Sequence, residues 1–432
     1  MSHRQRRASV ALAAVFLLVV LVSLASPHAR AAPGAAGVIA YKRGHQIRLI
    51  NSDGTGDRSL WSAALPAGFK GIRGLQWRPD GGALAFSSDY QATCSVYAAD
   101  IYTVRSDGAG LKRLTNSPAC EALGGLAKGS VSLQVENAVA NLSEFLIYVE
   151  GAPTAQVVTI APGAVVNVTL HNVADLGNFG QQPIAINGHY RWFDPALLVD
   201  VKAGQTVQAP GRLVLRPSGN VYANMGATYP AWHRGGGKVG FLFYEGILTQ
   251  IAANPPLGGP DSLILAPGAG VIAGSMAWSP VAEWILYDAP DGIYVVEPGA
   301  SGPGDAVITK SATELVLGLE WLPDGSGFVF AITGGALGQE HSNIYEYSFT
   351  ENSLTPITDF ADDYAGALSL STDGRLIVFE FIRDIGDAPE LWIIGRDGAG
   401  LRPLGVQGEM PDWKPGSGID YAYRVLLPMQ RK

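Results

Sequence analysis

The residues best placed to do chemistry in this chain are acids and aromatics gathered in four short stretches: Asp89 and Tyr90; Glu340 and His341; Asp362, Asp363 and Tyr364; Asp384 and Asp387. Carboxylates beside aromatic rings can grip a sugar or a peptide. Carboxylates in loops can also hold Ca²⁺, which takes six to eight oxygens, but no D-x-D-x-D-G spacing occurs, so a solvated acidic surface is the better reading. Beyond Ala31 the histidines are His45, His171, His189, His233 and His341, and none forms an H-E-x-x-H or another close metal pair. No G-x-S-x-G elbow is present, and no α/β region follows the repeats described below. The expectation from these residues is ligand binding by loops, with no catalytic set, no metal and no cofactor implied.

The elements that must position those loops are short strands. Gly74–Thr115 contains four of them, Gly74–Trp77, Ala83–Ser87, Asp100–Val104 and Leu111–Leu114. Pro79-Asp80-Gly81 and Asp107-Gly108 supply the positive φ that tight hairpins need. The unit is therefore a four-stranded antiparallel meander. It recurs around Trp232, Trp278, Trp321 and Leu370, and its first half returns at Trp413. From Trp232 onward the anchors are spaced by roughly 43 to 49 residues, the length of one propeller blade.

The segments WRPDGGALAF, MAWSPVAEWILYD and WLPDGSGFVF, followed by IY- or LW-type strands and Ser-Asp-Gly turns, resemble the TolB-type β-propeller repeat, related to the propeller of prolyl oligopeptidases. The resemblance covers most of Gly37–Pro415 and departs from the pattern at Trp278, which lacks a following Asp-Gly, and at Leu370, which replaces Trp. It implies a fold and leaves activity open, because such repeats serve binding proteins, gatekeepers and lyases alike. The expected fold class is all-β, a six-bladed propeller with a β-sandwich inserted between blades two and three. The blades are Gly37–Trp61 completed by Trp413, Gly74–Thr115, Tyr222–Ala252, Ser275–Thr309, Leu317–Thr358 and Ala367–Leu404.

The spacing from Trp77 to Trp232 is about one hundred residues too long for one period. The excess, 121–217, contains further alternating strands and is expected to form an immunoglobulin-like sandwich. It separates propeller segments 37–120 and 218–415. It leaves from strand four of blade two, on the rim that also carries the long loops Ser87–Ala99, Thr333–Asn343 and Ile382–Pro389. Cys94 and Cys120 share that rim, and an oxidising compartment would join them as a disulfide. The opposite rim has minimal turns, so the elaborated rim is the expected binding face.

Met1–Ala31 reads as a signal peptide: Arg4, Arg6 and Arg7, an apolar run Val10–Leu24, then Ala29-Arg30-Ala31. Its removal takes four arginines and no acid, moving the formal net charge from −8 to −12. That acidity argues against nucleic acid or an anionic membrane as partner. The apolar run of the 416–432 tail is too short to span a bilayer. Two functions fit: a secreted, periplasmic or envelope-associated binding protein with a protein or glycan partner, or a polysaccharide-acting lyase or hydrolase at the channel mouth. Convergence of His233, His341 and two carboxylates would favour the enzyme. Binding is the preferred expectation.

Overall fold

A computed structural model of the chain describes residues 37–63, 71–95, 97, 99–115, 120–177, 182–187, 191–215, 226–243, 246–254, 261–266, 271, 273–334 and 341–416. The signal-like Met1–Ala31 and the tail from Ile419 lie outside the described residues, as do His189 and Glu340.

Four sheets of four antiparallel strands and one eight-stranded sheet, whose two four-stranded halves meet at a parallel bridge between Ser342 and Tyr364, form the propeller; its four-stranded units are numbered here as blades from the amino end. Blade two has strands Ile72–Trp77, Ala83–Ser88, Asp100–Arg105 and Lys112–Arg113, hydrogen-bonded in that order. Blade three starts with Ala227–Trp232, blade four with Ser275–Trp278, blade five with Val316–Trp321 and blade six with Tyr364–Leu370. These first strands are the innermost ones, and each touches its neighbour's around a closed cycle. The last strand, Glu409–Trp413, pairs antiparallel with Val38–Arg43, with Ile39 opposite Trp413 and Ala40 opposite Asp412. Blade one is thus built from both ends of the described chain. Closure hides the edges that an open sheet would expose.

Local chemistry sets the hairpins. Asp80, Asp324 and Asp373 each accept, through Oδ1, the backbone N–H two residues on, at 2.8, 3.0 and 3.1 Å. The glycine after each acid has φ of +67°, +71° and +67°. A side-chain acceptor and a residue free of Cβ strain together make the turn between strands one and two.

The anchors bury deeply: Trp77, Trp232, Trp278, Trp321 and Trp413 are 3–8 % exposed, and Leu370 is 4 % exposed. At four of the six seams the side chain before the anchor then links blades. Asp412 of blade one accepts the Trp77 N–H of blade two, and Gln76 of blade two accepts the Trp232 N–H of blade three. Glu320 Oε2 of blade five accepts the Leu370 N–H at 2.9 Å, and Ser369 Oγ of blade six accepts the Trp413 N–H at 3.0 Å. Indoles add to this pattern: Trp232 Nε1 donates to Gln76 O and Trp321 Nε1 to Ala277 O, both at 3.1 Å.

Between blades two and three, strands from Lys128 to Leu215 form a separate unit of two sheets around one core that includes Val131, Val135, Ile147, Val149, Leu170 and Leu213. One sheet has four strands and the other three, with Lys128–Asn137 central and paired parallel to Thr206–Leu215. The final strand runs Thr206–Leu215. Gln208-Ala-Pro-Gly211 looks like a turn, yet Gly211 at φ +80° lets the strand bulge and continue with a register shift. The preceding strand runs Arg191–Val199.

The inserted unit is moored by a buried ion cluster. Arg113, at the end of blade two, is fully buried. Its Nη1 donates to Cys94 O at 3.1 Å and lies 3.9 Å from Asp100, while Nη2 lies 3.7 Å from Glu150 of the insert. Burial works against its charge, but Asp100 and Glu150 outweigh it and hold the guanidinium pKa above its ordinary value. The Cys94–Cys120 disulfide, with Cα atoms 5.9 Å apart, sits against the same guanidinium. Tyr97 packs on both the insert core and the blade-two/three core, and its hydroxyl donates to Asp261 at 2.8 Å.

Two stability outcomes follow from this architecture. Trp413→Ala should cost about 3–5 kcal/mol in urea unfolding, because it leaves a cavity where the ring closes. Arg113→Met should cost about 3–5 kcal/mol by stranding Asp100 and Glu150, and adding Glu150→Gln should recover part of that loss. Equal stability of Arg113→Met and the parent would show that the cluster does not hold the insert in place.

Candidate functional site: the central channel and its loop mouth

The sequence-selected loop residues divide once placed. Asp89 is 7 % exposed, and its Oδ1 accepts the Gly71 N–H at 2.9 Å. Tyr90 packs against Trp61 and Tyr102, with ring centroids 5.3 and 5.0 Å away. Both brace the base of the Ser87–Ala99 loop, so their surroundings correct the surface role expected for them. Asp362 and Asp384 are exposed. Asp363 and His341 are part-buried and accept loop N–H groups through their carbonyls, from Ser342 at 3.2 Å and from Gly334 at 3.0 Å. Tyr364 and Asp387 come together, lining one cavity of about 260 Å³ with Glu380, Leu317, Ile382 and Ile385. This cavity is the loop-side mouth of the channel.

Deeper in, a second cavity of about 280 Å³ is walled by the innermost strands and shares Leu317 and Ala367 with the mouth. A narrower space of about 120 Å³ opens on the tight-turn side, between Pro79, Pro280, Pro323 and Pro415. Gln76, Ala277, Glu320 and Asp412 border both inner spaces. The pre-anchor residues therefore form a ring midway along the axis.

Burial pushes the Glu320 carboxyl up to about 7, against the opposing bonds from Leu370 N–H and Ser369. Burial does the same for Glu380, also to about 7, although the Met410 and Ala367 N–H groups favour its charged form. Asp412 is held well above the usual carboxylate range, first by burial and then by the charge of Glu320. Sequence reading missed all three. A usable signal was present: aligned on the anchors, the preceding residues are Gln76, Ala231, Ala277, Glu320, Ser369 and Asp412, and Glu380 is the one acid in LIVFEFI.

The histidines do not converge. His233 follows Trp232 at the tight-turn end and bonds Glu283 at 2.9 Å, with its ring edge-on to Trp278. His341 stands at the loop end of blade five, at the start of the strand Ser342–Ser348. His171 lies on the exposed insert surface beside Ser130, at 3.2 Å. Among the described residues no group of three or more His, Cys, Asp or Glu side chains could hold a metal, and no helix is long and apolar enough to cross a membrane.

The protein is a β-propeller carrying an inserted two-sheet unit. No family model matches the chain, and no curated protein matches its sequence. Similar solved structures include TolB from Acinetobacter baumannii, 14 % identical over 88 % of this chain and 67 % of that one, with a TM-score of 0.44. Another is nidogen in its laminin complex, 7 % identical over 87 % and 98 %, with a TM-score of 0.48. A third is the Myceliophteria thermophila Cps50 (Swd1) propeller domain, 10 % identical over 88 % and 87 %, with a TM-score of 0.40.

The raised carboxyls fix a sign for pH dependence. A folded pKa above the unfolded one means that the native state holds more protons, so the stabilisation present below about pH 4.5 is lost as pH rises towards 7. Glu320→Gln keeps an acceptor for the Leu370 N–H and removes the titration. Thermal unfolding should show the variant more stable than the parent at pH 8, on the order of 1–3 kcal/mol, and no more stable at pH 4.5. A pH-independent difference would mean that Glu320 does not titrate in this range.

Proposed function

We propose that the chain is a secreted or envelope-associated binding protein that recognises a polypeptide partner through the loop-side mouth of its channel and the inserted unit beside it. Residues 121–217 then act as an immunoglobulin-like recognition module, 37–120 and 218–415 as its propeller platform, and 1–31 as an export signal. The observation that carries this reading is the mooring of the insert. A fully buried Arg113 spanning Asp100 and Glu150 fixes it to the loop face at a set orientation. A covalent tie and a shared core reinforce that fixation. Rigid presentation of one surface beside a concave mouth suits recognition, because little ordering remains to oppose association.

The channel acids support the same reading by their occupation. Glu320, Glu380 and Asp412 each accept backbone N–H groups. Through those bonds they help to hold the blades together. At the mouth, Tyr364, Asp387 and the 53 %-exposed Ile385 offer a mixed apolar and acidic contact.

Affinity capture from envelope extract and culture medium should recover a protein with the intact chain. That protein should be lost, or reduced at least tenfold, with Ile385→Asp/Asp387→Ala and with a chain lacking 121–217. The loop variant touches no core position, so it remains informative if the deletion misfolds. Unchanged capture by a folded loop variant and by a folded deletion would refute the proposal.

A further inference from the structure

The loop-side mouth leads to a lumen whose two sides differ. Along one side stand the carboxyls of Glu380, Glu320 and Asp412, from blades six, five and one. Across from them, blades three and four place only the methyl groups of Ala231 and Ala277 at the equivalent pre-anchor positions. The wall between mouth and ring mixes polar groups with apolar side chains, Leu317 and Met410 among them. Tyr229 adds an aromatic face: it lines the mid-channel cavity, is 44 % exposed, and its hydroxyl has no protein hydrogen-bond partner among the described residues. Its φ of +50° is a left-handed conformation that a bulky side chain rarely adopts. The equivalent position in blade two is Gly74, where a Cβ would press on the Tyr229 backbone.

A lumen with carboxyls on one side only has a definite complement. We infer that the channel receives a primary ammonium carried at the tip of an extended polypeptide segment, its stem against Tyr229 and Leu317 and its charge between Glu320 and Asp412. A cation there would face both carboxylates at once, and the charge of Glu320 already acts against ionisation of Asp412. From Tyr364 to Ser369 the wall runs about 16 Å at strand rise, longer than a lysine side chain, so chain as well as charge must enter. The inference rests on the reading that a polypeptide engages the loop mouth, and it specifies which part of that polypeptide enters.

Calorimetric titration of the full chain tests this with three probes: an alanine tetrapeptide amide with a free amino end, its N-acetylated form, and an acetylated form ending in lysine amide. One or both ammonium-bearing probes should bind at least tenfold more tightly than the acetylated blank. Whichever does so identifies the source of the charge. Glu320→Gln should weaken that binding about tenfold while keeping the blade latch. Tyr229→Gly should weaken it with an unchanged or higher Tm, since glycine suits the left-handed backbone. Equal binding of all three probes, no binding at about 10 mM, or indifference to both substitutions would overturn the inference. If that happens while capture of a partner still depends on Ile385 and Asp387, only the channel inference falls and the loop-mouth reading stands.

Discussion

The structure depends on one repeated contact: at four of the six seams the side chain preceding a blade anchor accepts the main-chain N–H of the anchor in the next blade. Asp412 to Trp77, Gln76 to Trp232, Glu320 to Leu370 and Ser369 to Trp413 are the same bond made four times with four different acceptors. Each satisfies a buried donor that would otherwise be costly to enclose. Each also sets the rotation of one blade relative to the next. A six-membered ring closes only if those rotations add up, so the acceptors fix both the stability of the toroid and the bore of its channel. The acids in that bore are there first as structure, and any ligand chemistry they have is superimposed on that duty.

The inserted unit follows a different logic. It is fastened by charge inside a dry region, where breaking one partner costs much more than the pair contributes over an apolar substitute. Such a joint is a poor source of stability and a good source of definition. Arg113 can face Glu150 and Asp100 together in one orientation of the insert, and the disulfide alongside limits the alternatives. The result is a projecting surface held in register with the channel mouth.

The propeller was legible from the chain because its signals are periodic and local. The Trp anchors, the Asp-Gly turns and the alternating strands all point to the same blade, and the circular closure through Trp413 follows from a missing strand at the start. The candidate site was less legible. Asp89 and Tyr90 look like surface ligands in a loop, yet burial and ring packing place them in the loop's base, and neither can be inferred from residue type. Glu320 and Asp412 are separated by almost a hundred residues and meet only because the ring closes, so no local window reveals them as a pair. The pre-anchor alignment does expose them once the repeat is treated as a frame for comparing positions and not only for counting blades.

Blade four meets blade five through Trp321 Nε1 and Ala277 O, but among the described residues blade three meets blade four with neither an indole bond of that kind nor a side-chain bond to the anchor N–H. Ala231 has no acceptor to offer, and the indole Nε1 of Trp278 has no partner among the described residues. Beside the apolar core that spans this junction, the Lys238 ammonium lies 4.6 Å above the Trp278 ring and Glu283 grips His233 and Arg234 at the tight-turn end. These are exposed charges, and dissolved ions weaken them far more than they weaken an enclosed hydrogen bond. One sector of the toroid therefore adds such charges to its apolar seam in place of an enclosed bond, and brine would weaken that contribution more than it weakens the enclosed bonds of the other joints.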